Sequence, residues 1–490
     1  MLILFRLIVL IRVVQSFTTT MLPSPPPPNV YILTDISNEP DDAQSLVRLL
    51  LYSNELKIHG IAASTSVWLN RTTCPDCIHF IINAYGKVVD SLLVHSSDYP
   101  TASDLHALVT TGSTTYGTLV LDEPPSAAVS HLIATVDGLS PNESLWVQCW
   151  GGASILAHAL SIITSLRSSE DVNIFISKLR VYSISDQDNA GSWIRMHFPQ
   201  LFYIVSLHGW NQYGLATWSG ISGEKLYKFD NGGPDGTIVS DEWLRENIQI
   251  GRFGGTAYPN KAFIMEGDSP AFLYLVQNGL GVQERPEWGS WGGRYVNAEQ
   301  SGCTKVYTDT ADTVIVGERE YKSNQATIWR WRSAFQSDFA ARMRWTMAGS
   351  YGAANHPPIV VVNGTESVAP IIVRLCKNED DVVVDASQSN DPDGDDIFFK
   401  WTQYHEAPAT RWSAQKEVLT IGITELATGI VRLTVPKWEE QGQKSVFNVL
   451  AQEFHVILEV TDSGEPAMRR YKRVIIERTG ENCGIVHDEL

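Results

Sequence analysis

The chain has 490 residues, 43% hydrophobic and 19% charged, a balance that suits globular folding in two domains and argues against long disorder. Its formal net charge of −18 argues against nucleic acid and anionic membrane as partners, because phosphate binding needs clustered Lys and Arg. What remains is a cation or a neutral, hydroxyl-rich ligand; the 15 Trp residues, whose faces stack on sugar rings when they are not core filler, hint at carbohydrate.

Residues 1–16 read as a signal peptide, with Arg6 early, an apolar run from Leu7 to Val14 broken by Arg12, and Val14-Gln15-Ser16 as the cleavage site. The rival reading, a membrane anchor, needs a longer apolar run, and no later segment is apolar enough to span. No membrane is therefore expected as a partner after signal cleavage. Residues 17–28 form a Pro-rich, extended lead-in containing Pro23 and Pro25 to Pro28. Residues 29–354 then alternate short apolar strands with helices. Strands are predicted at 30–34, 56–62, 145–150, 179–184, 201–206 and 262–265. One helix opens at Pro40 with Ala43, Leu46, Val47, Leu50 and Leu51 at helical spacing, another follows Gly151-Gly152, and a long amphipathic stretch covers 325–348. This alternation predicts an α/β domain built on a mainly parallel sheet. Over 355–480 the texture changes to short strands at 359–362, 370–375, 382–385, 397–401, 429–435, 453–461 and 472–476, with Asp391-Pro392-Asp393-Gly394-Asp395 as a turn. That spacing predicts an immunoglobulin-like β-sandwich.

Residues 481–490 form a tail ending in His487-Asp488-Glu489-Leu490, an ER-retrieval tetrapeptide whose plain alternative is an acidic tail. Together with the signal peptide and the sequons at Asn70, Asn142 and Asn363, it predicts the ER lumen as address and the retrieval receptor as a partner, with secretion as the alternative. Six cysteines fit an oxidising compartment. Cys74-Pro75-Asp76-Cys77 has no second CxxC and no His pair at ligand spacing, so a local disulfide is expected rather than zinc; Cys376 and Cys483 are candidates for a second bridge.

In an open α/β sheet, ligands bind beyond the carboxyl ends of the strands. Three predicted strands run straight into acids there. The first leads into Asp35, Glu39, Asp41 and Asp42, the strand at 179–184 into Asp186 and Asp188, and the strand at 262–265 into Glu266 and Asp268. Convergence of the first and third segments would offer the several oxygens that Ca²⁺ requires. Each acid also has a structural reading: Asp41 and Asp42 sit at a helix N-terminus, where the macrodipole favours them by roughly 0.3–1 kcal/mol, and Asp35 suits an Asx-turn. Trp150, Trp193, Trp210, Trp288 and Trp291 fall in or beside loops, and Trp288-Gly289-Ser290-Trp291-Gly292-Gly293 is suited to stacking on a sugar face, with loop packing as the alternative. No G-x-S-x-G, P-loop or G-x-G-x-x-G pattern occurs.

Taken together, these stretches are similar to the cellulose-binding, nucleoside-hydrolase-like family of microbial and fungal proteins. The likeness rests on Thr34-Asp35 with Glu39-Pro40-Asp41-Asp42, on Trp150-Gly151-Gly152-Ala153, and on Ser185-Asp186-Gln187-Asp188. It continues through Glu266-Gly267-Asp268-Ser269-Pro270, Pro286-Glu287-Trp288-Gly289 and Trp291-Gly292-Gly293-Arg294-Tyr295. Asp385-Ala386-Ser387, the Asp391 turn and Glu459-Val460-Thr461-Asp462 resemble that family's immunoglobulin-like or PKD-like domain. The resemblance implies Ca²⁺ held by Asp42 and Asp268 with Asp35 nearby, and hydrolysis of an N-glycosyl or glycosidic bond. With the strand-end placement and the aromatic loops, this makes Asp35, Asp42 and Asp268 the expected metal ligands, Asp35, Asp41 and Glu39 the catalytic candidates, and Asp186, Asp188, Trp150, Trp288 and Trp291 the substrate-binding ones, for a carbohydrate or nucleoside-like small molecule. Three positions depart from nucleoside hydrolases: Ser37 stands where they place the proposed base, Glu39 where they usually have Gly, and Gly267 where a His often precedes the last metal-binding Asp. These departures keep open the alternative of a non-catalytic protein that binds a cellulose-like polysaccharide.

Overall fold

The computed structural model describes residues 18–209, 212–222, 235–299, 301–376, 379–408, 418–437 and 453–478. The expected signal peptide at 1–16, Trp210, Cys483 and the terminal tetrapeptide lie outside the described residues.

The strands are numbered in chain order. Strand β1 (Thr18–Met21) precedes β2 (Asn29–Thr34), in which all six residues are buried, as in a parallel strand covered on both faces. Along β2 the side chains alternate: Val30 and Ile32 join the core on one side of the sheet, Tyr31 and Leu33 the core on the other. Helix α1 (Pro40–Leu51) follows. Pro40 occupies its first turn, where a missing N–H costs nothing, and Leu46, Val47, Leu50 and Leu51 are buried against the sheet. The sheet continues with β3 (Lys57–Ala63), β4 (Val109–Thr111), β5 (Leu145–Cys149), β6 (Leu179–Ser185), β7 (Phe202–Ser206), β8 (Tyr295–Asn297) and β9 (Val306–Asp309). Their order is β4-β3-β2-β5-β6-β7-β9-β8, parallel throughout except for the β8–β9 pair. The chain runs outward from β2 to β3 and β4, then crosses back to add β5, β6 and β7 on the other side. The topological switch point, where a ligand crevice is expected, therefore lies at the carboxyl ends of β2 and β5.

A hairpin of β10 (Asp312–Val316) and β11 (Arg319–Ser323) leads to two helices, Ala326–Trp329 and Arg332–Trp345, where the sequence suggested one long amphipathic stretch. The C-terminal domain contains β12 (Ile371–Leu375), β13 (Asp381–Asp385), β14 (Ile397–Gln403), β15 (Gly422–Ala427), β16 (Ile430–Thr434), β17 (Glu453–Asp462) and β18 (Arg469–Arg478). Among the described residues they form two sheets, β1-β12-β18-β17-β14 and β13-β16-β15, which share a core of Val373, Val384, Leu433 and Val456. The β-sandwich expected from the sequence is present. The segment expected as a Pro-rich lead-in begins, however, as a sandwich edge strand: Thr18 pairs with Arg374 and Met21 with Ile371. Segment 359–362 makes only isolated bridges, consistent with the missing backbone donors of Pro357 and Pro358 just before it.

The two domains are joined along β18. Tyr471 N donates to the Asn278 carbonyl at 2.8 Å, and the buried Arg473 guanidinium donates to the carbonyls of Leu280 and Trp288, each at 2.8 Å. Arg470 Nη1 donates to Asp338 at 2.9 Å. The expected Cys74–Cys77 disulfide is formed, and Cys376 is disulfide-bonded as well. Among the described residues no single helix is long and apolar enough to cross a membrane.

Segment 262–265, predicted as a sheet strand, is not one. Phe263 and Glu266 have φ values of 59° and 51°, the left-handed region that an extended strand cannot use, and the segment makes only the isolated Ala262–Ile264 bridge. A buried polar knot explains the turn. Glu266 is fully buried and accepts from Arg48 Nη1 at 2.7 Å, Tyr258 Oη at 2.7 Å and Ser269 Oγ at 2.9 Å, so its side chain anchors inward while Phe263 is turned outward.

Candidate functional site

A pocket of about 470 Å³ opens at the switch point, beyond the carboxyl ends of β2, β5, β6 and β7. Its acidic side is built by the turn between β2 and α1. Thr34 Oγ1 accepts from the Ile36 amide at 3.1 Å and donates to Asp42 Oδ1, which ties the turn to the first turn of α1. Ser37 takes a φ of 102°, a strained value for a non-glycine residue in a candidate site. Asp268 enters from across the pocket, at the start of the short helix Ser269–Leu273. Asp41, Asp42 and Asp268 each offer an oxygen within 4.8 Å of the others. Asp42 and Asp268 are buried, and Asp268 Oδ2 has no hydrogen-bond partner among the described residues.

Asp35 is 4% exposed, and its Oδ2 accepts from Ser66 Oγ. The Gly151-Gly152 pair exists to make room for carboxylates. A Cβ at 151 would stand 2.6 Å from Asp35 Oδ1, and one at 152 would collide with Asp188 Oδ2. Asp188 Oδ1 accepts from the Ala190 amide at 2.8 Å, while its buried Oδ2 has no partner among the described residues. Asp186 also borders the pocket, but Arg195 holds it with two bonds of 2.6 and 2.8 Å.

Crowding of carboxylates in a dry site raises their proton affinity. Burial, followed by the charges of Glu39 and Asp35, lifts Asp41 to about 7. Burial lifts Asp35 to about 6, with Glu39 and Asp188 adding to it and the Ser66 hydrogen bond opposing. Asp42 and Asp268 are raised well above the ordinary carboxylate range by burial and by the acids around them. Burial also raises Asp188 to about 6 and raises Glu39. Such a cluster holds protons near neutrality unless a cation replaces them.

The other side of the pocket is aromatic. Trp150, fully buried, forms part of its lining with Trp68, Tyr213 and Trp218. Tyr213 is the hub, with ring centroids 6.3 Å from Trp68, 6.0 Å from Trp218 and 5.0 Å from His208. Trp68, Tyr213, Trp218 and His208 were not singled out from the sequence; His208 lies two residues past β7, where the strand-end rule points. Trp288 and Trp291, expected at the site, stand elsewhere. Neither lines the pocket. Trp288 packs edge-on to His455 at 5.0 Å, and Trp291 Nε1 donates to Tyr471 Oη at 3.3 Å, so both are buried against the sandwich. Their glycine-rich loop packs against the second domain, a tertiary effect with no local signature.

Two family models match the chain: cellulose-binding Sde182, nucleoside hydrolase-like domain, over residues 29–295, and cellulose-binding protein Sde0182, C-terminal domain, over 381–478. A solved nucleoside hydrolase-related hypothetical protein from Saccharophagus degradans, described as associated with carbohydrate metabolism, is 31% identical, with a TM-score of 0.75 over 92% of this chain and 100% of that one. The chain belongs to the cellulose-binding Sde182 family. Every pocket residue, from Asp35 to Asp268, falls inside its nucleoside-hydrolase-like domain. The C-terminal match covers β13 to β18 and leaves out β1 and β12, which complete the larger sheet of the sandwich. The effector protein XOO4466 is 10% identical over 66% of this chain and 95% of that one, and its TM-score of 0.31 is too low to carry an argument. No curated protein matches.

Proposed function

We propose that the pocket binds Ca²⁺ and a sugar together and hydrolyses a glycosidic or N-glycosyl bond. The observation that carries this reading is the convergence of Asp41, Asp42 and Asp268 from distant parts of the chain, with oxygens within 4.8 Å of one another. Hard carboxylate oxygens, one of them buried and unpartnered, fit a hard divalent cation and fit a neutral group poorly. When bound, the ion supplies charge neutralisation and an acidified, oriented water.

The remaining chemistry belongs to the chain's own residues. Asp35, next to the cluster and lifted to about 6, is ionised in good part at neutral pH while still basic enough to accept a proton from water. Glu39 and Asp41 stand at the pocket rim within reach of sugar hydroxyls, and Asp188 backs Asp35 from the floor. Trp68 and Tyr213 offer ring faces to a sugar, and the buried Trp150 and Trp218 behind them shield the bond from bulk water. Ser37 at the usual base position shifts the base role to Asp35.

The test is hydrolysis of nucleosides and glycosides by the wild type and Asp42→Ala, with Ca²⁺ or with chelator. Turnover that both Asp42→Ala and chelation abolish supports the hydrolase. The second reading, carbohydrate binding without turnover, is favoured by Ser37 and by the cellulose-binding description of the family. Polysaccharide binding that ignores Asp42→Ala, with no product released, selects it. For the address we propose the ER lumen through the terminal His487-Asp488-Glu489-Leu490, or secretion if the tetrapeptide is silent. A short C-terminal extension should release a retained protein into the medium.

A further inference from the structure

Leaving-group protonation is the role that the hydrolase reading leaves unfilled, since Gly267 carries no side chain to donate a proton. The sheet order says where to look for a substitute. The carboxylate cluster sits over β2; β6 and β7 lie two and three strands away, roughly 10 and 14 Å at a strand spacing of about 4.8 Å. A sugar ring seated over β2 and β5 thus directs its leaving group toward the ends of β6 and β7.

That side carries a hydrogen-bonded chain of defined direction. Trp218 Nε1 donates to Ser185 Oγ at 2.9 Å. Ser185 Oγ lies 3.0 Å from His208 Nε2, and His208 Nδ1 lies 2.9 Å from the Gly209 carbonyl oxygen. An indole N–H can only donate and a carbonyl can only accept. In the neutral ring, Nδ1 therefore carries the proton and Nε2 accepts from the Ser185 hydroxyl; in the imidazolium, Nε2 donates to Ser185 Oγ, which frees the hydroxyl of Ser185, itself part of the pocket lining, to donate its own proton. His208 is half-buried and lines the pocket, and Tyr213 packs edge-on to its ring at 5.0 Å. Asp309, at the end of β9, is held by Ser206 Oγ at 2.7 Å and the Thr217 amide at 3.2 Å, and its charge interacts favourably with that of His208. The other charged groups bordering the same pocket are Asp186, neutralised by Arg195, and the carboxylates of the cluster.

We propose that His208 supplies the acid proton of this pocket through Ser185, whose hydroxyl protonates the leaving-group atom as its Oγ takes the proton of His208 Nε2, with Trp218 as a positioning residue. The assignment rests on the hydrolase reading. As the bond from C1 to the leaving atom breaks, its electron pair goes to that atom, which takes the Ser185 hydroxyl proton and departs neutral while Ser185 Oγ takes the proton of His208 Nε2. Water adds its oxygen to C1 and gives its proton to Asp35. Neutral His208 then accepts the Ser185 hydroxyl, and proton exchange with solvent returns Asp35 and His208 to their starting states.

The test compares wild type, His208→Ala and His208→Gln on p-nitrophenyl and methyl glycosides of ribose and of glucose, at saturating Ca²⁺. General acid catalysis is worth about 10²–10⁴-fold, and p-nitrophenolate needs no protonation to leave. The expected result is a loss of at least about 100-fold on the methyl glycoside and under about tenfold on the p-nitrophenyl glycoside of the same sugar, with Ca²⁺ affinity by calorimetry unchanged and added imidazole restoring part of the His208→Ala activity. Equal losses on both substrates, or no loss on either, overturn the His208 assignment alone. Wild-type protein that hydrolyses none of the four overturns the hydrolase reading and this inference with it.

Discussion

Removing the cation should make stability fall as pH rises, and adding Ca²⁺ should abolish that fall. The sign follows from the direction of the shifts. The carboxylates of the cluster bind protons more tightly in the folded state than the usual 3.8, so their contribution to the stability of the cation-free fold is full below about pH 4 and is lost as pH climbs through the raised values. Asp35, lifted to about 6, and Asp41, lifted to about 7, define a window of roughly pH 4–7. At about 1.4 kcal/mol per pH unit, ionising Asp35 alone costs the folded state roughly 3 kcal/mol. An ion at 100 times its Kd restores about 2.7 kcal/mol, which is enough to offset that loss. Thermal unfolding in Ca²⁺ and in chelator, at pH 5 and pH 8, reads the difference directly. For a chain of this size each kcal/mol moves Tm by about 2–4 °C or less, so the Ca²⁺ effect at pH 8 should be roughly 5 °C and close to zero at pH 5. An equal shift at both pH values, or none at either, refutes the reasoning.

Other outcomes follow from particular contacts. Asp268→Asn keeps the shape but removes a charge from the set, and should weaken Ca²⁺ binding by at least about tenfold in calorimetry, while raising cation-free stability at pH 8. Gly151→Ala pushes a methyl group to within 2.6 Å of Asp35 Oδ1 and should destabilise by about 1–3 kcal/mol in urea unfolding, with loss of Ca²⁺-dependent sugar binding. Arg473→Ala leaves the carbonyls of Leu280 and Trp288 unpaired between the domains and should lower stability by about 2–4 kcal/mol, splitting urea unfolding into two transitions. Trp218→Ala should weaken sugar binding measured by fluorescence, whereas Trp288→Ala should leave it unchanged, because only Trp218 lines the pocket.

Much of the larger domain was legible because its signals are local. The apolar run of β2 and the Pro40 start of α1 fix a strand-turn-helix unit, and the acids of that turn must then lie at the carboxyl end of the sheet. Asp268 was expected beside them on the ground of a strand that does not exist. Its position depends instead on Glu266, whose ion pair with the distant Arg48 bends the chain before Asp268, a long-range contact that periodicity cannot register. The tryptophans divide by the same principle. Trp150 follows directly from the end of β5, whereas Trp288 and Trp291 are claimed by Arg473 and Tyr471 of the second domain, 185 and 180 residues downstream. Strand β1 was hidden because three threonines before a proline run carry no burial pattern, and only pairing with β12 makes them a strand. His208 sat where the strand-end rule points, yet a lone histidine in a loop gives no sign of Ser185 and Trp218 converging on it.

The central claim is that carboxylates far apart in sequence share one cation, and that the cation prepares the pocket for a sugar. Isothermal titration calorimetry tests it in two steps, Ca²⁺ into chelator-stripped protein at pH 7.5, then ribose or cellobiose into the loaded and the stripped forms. The account predicts one ion per chain in this pocket, lost in Asp42→Ala, and sugar heat from the loaded form only. Sugar binding of equal strength in both forms, or no ion bound that depends on Asp42, contradicts it.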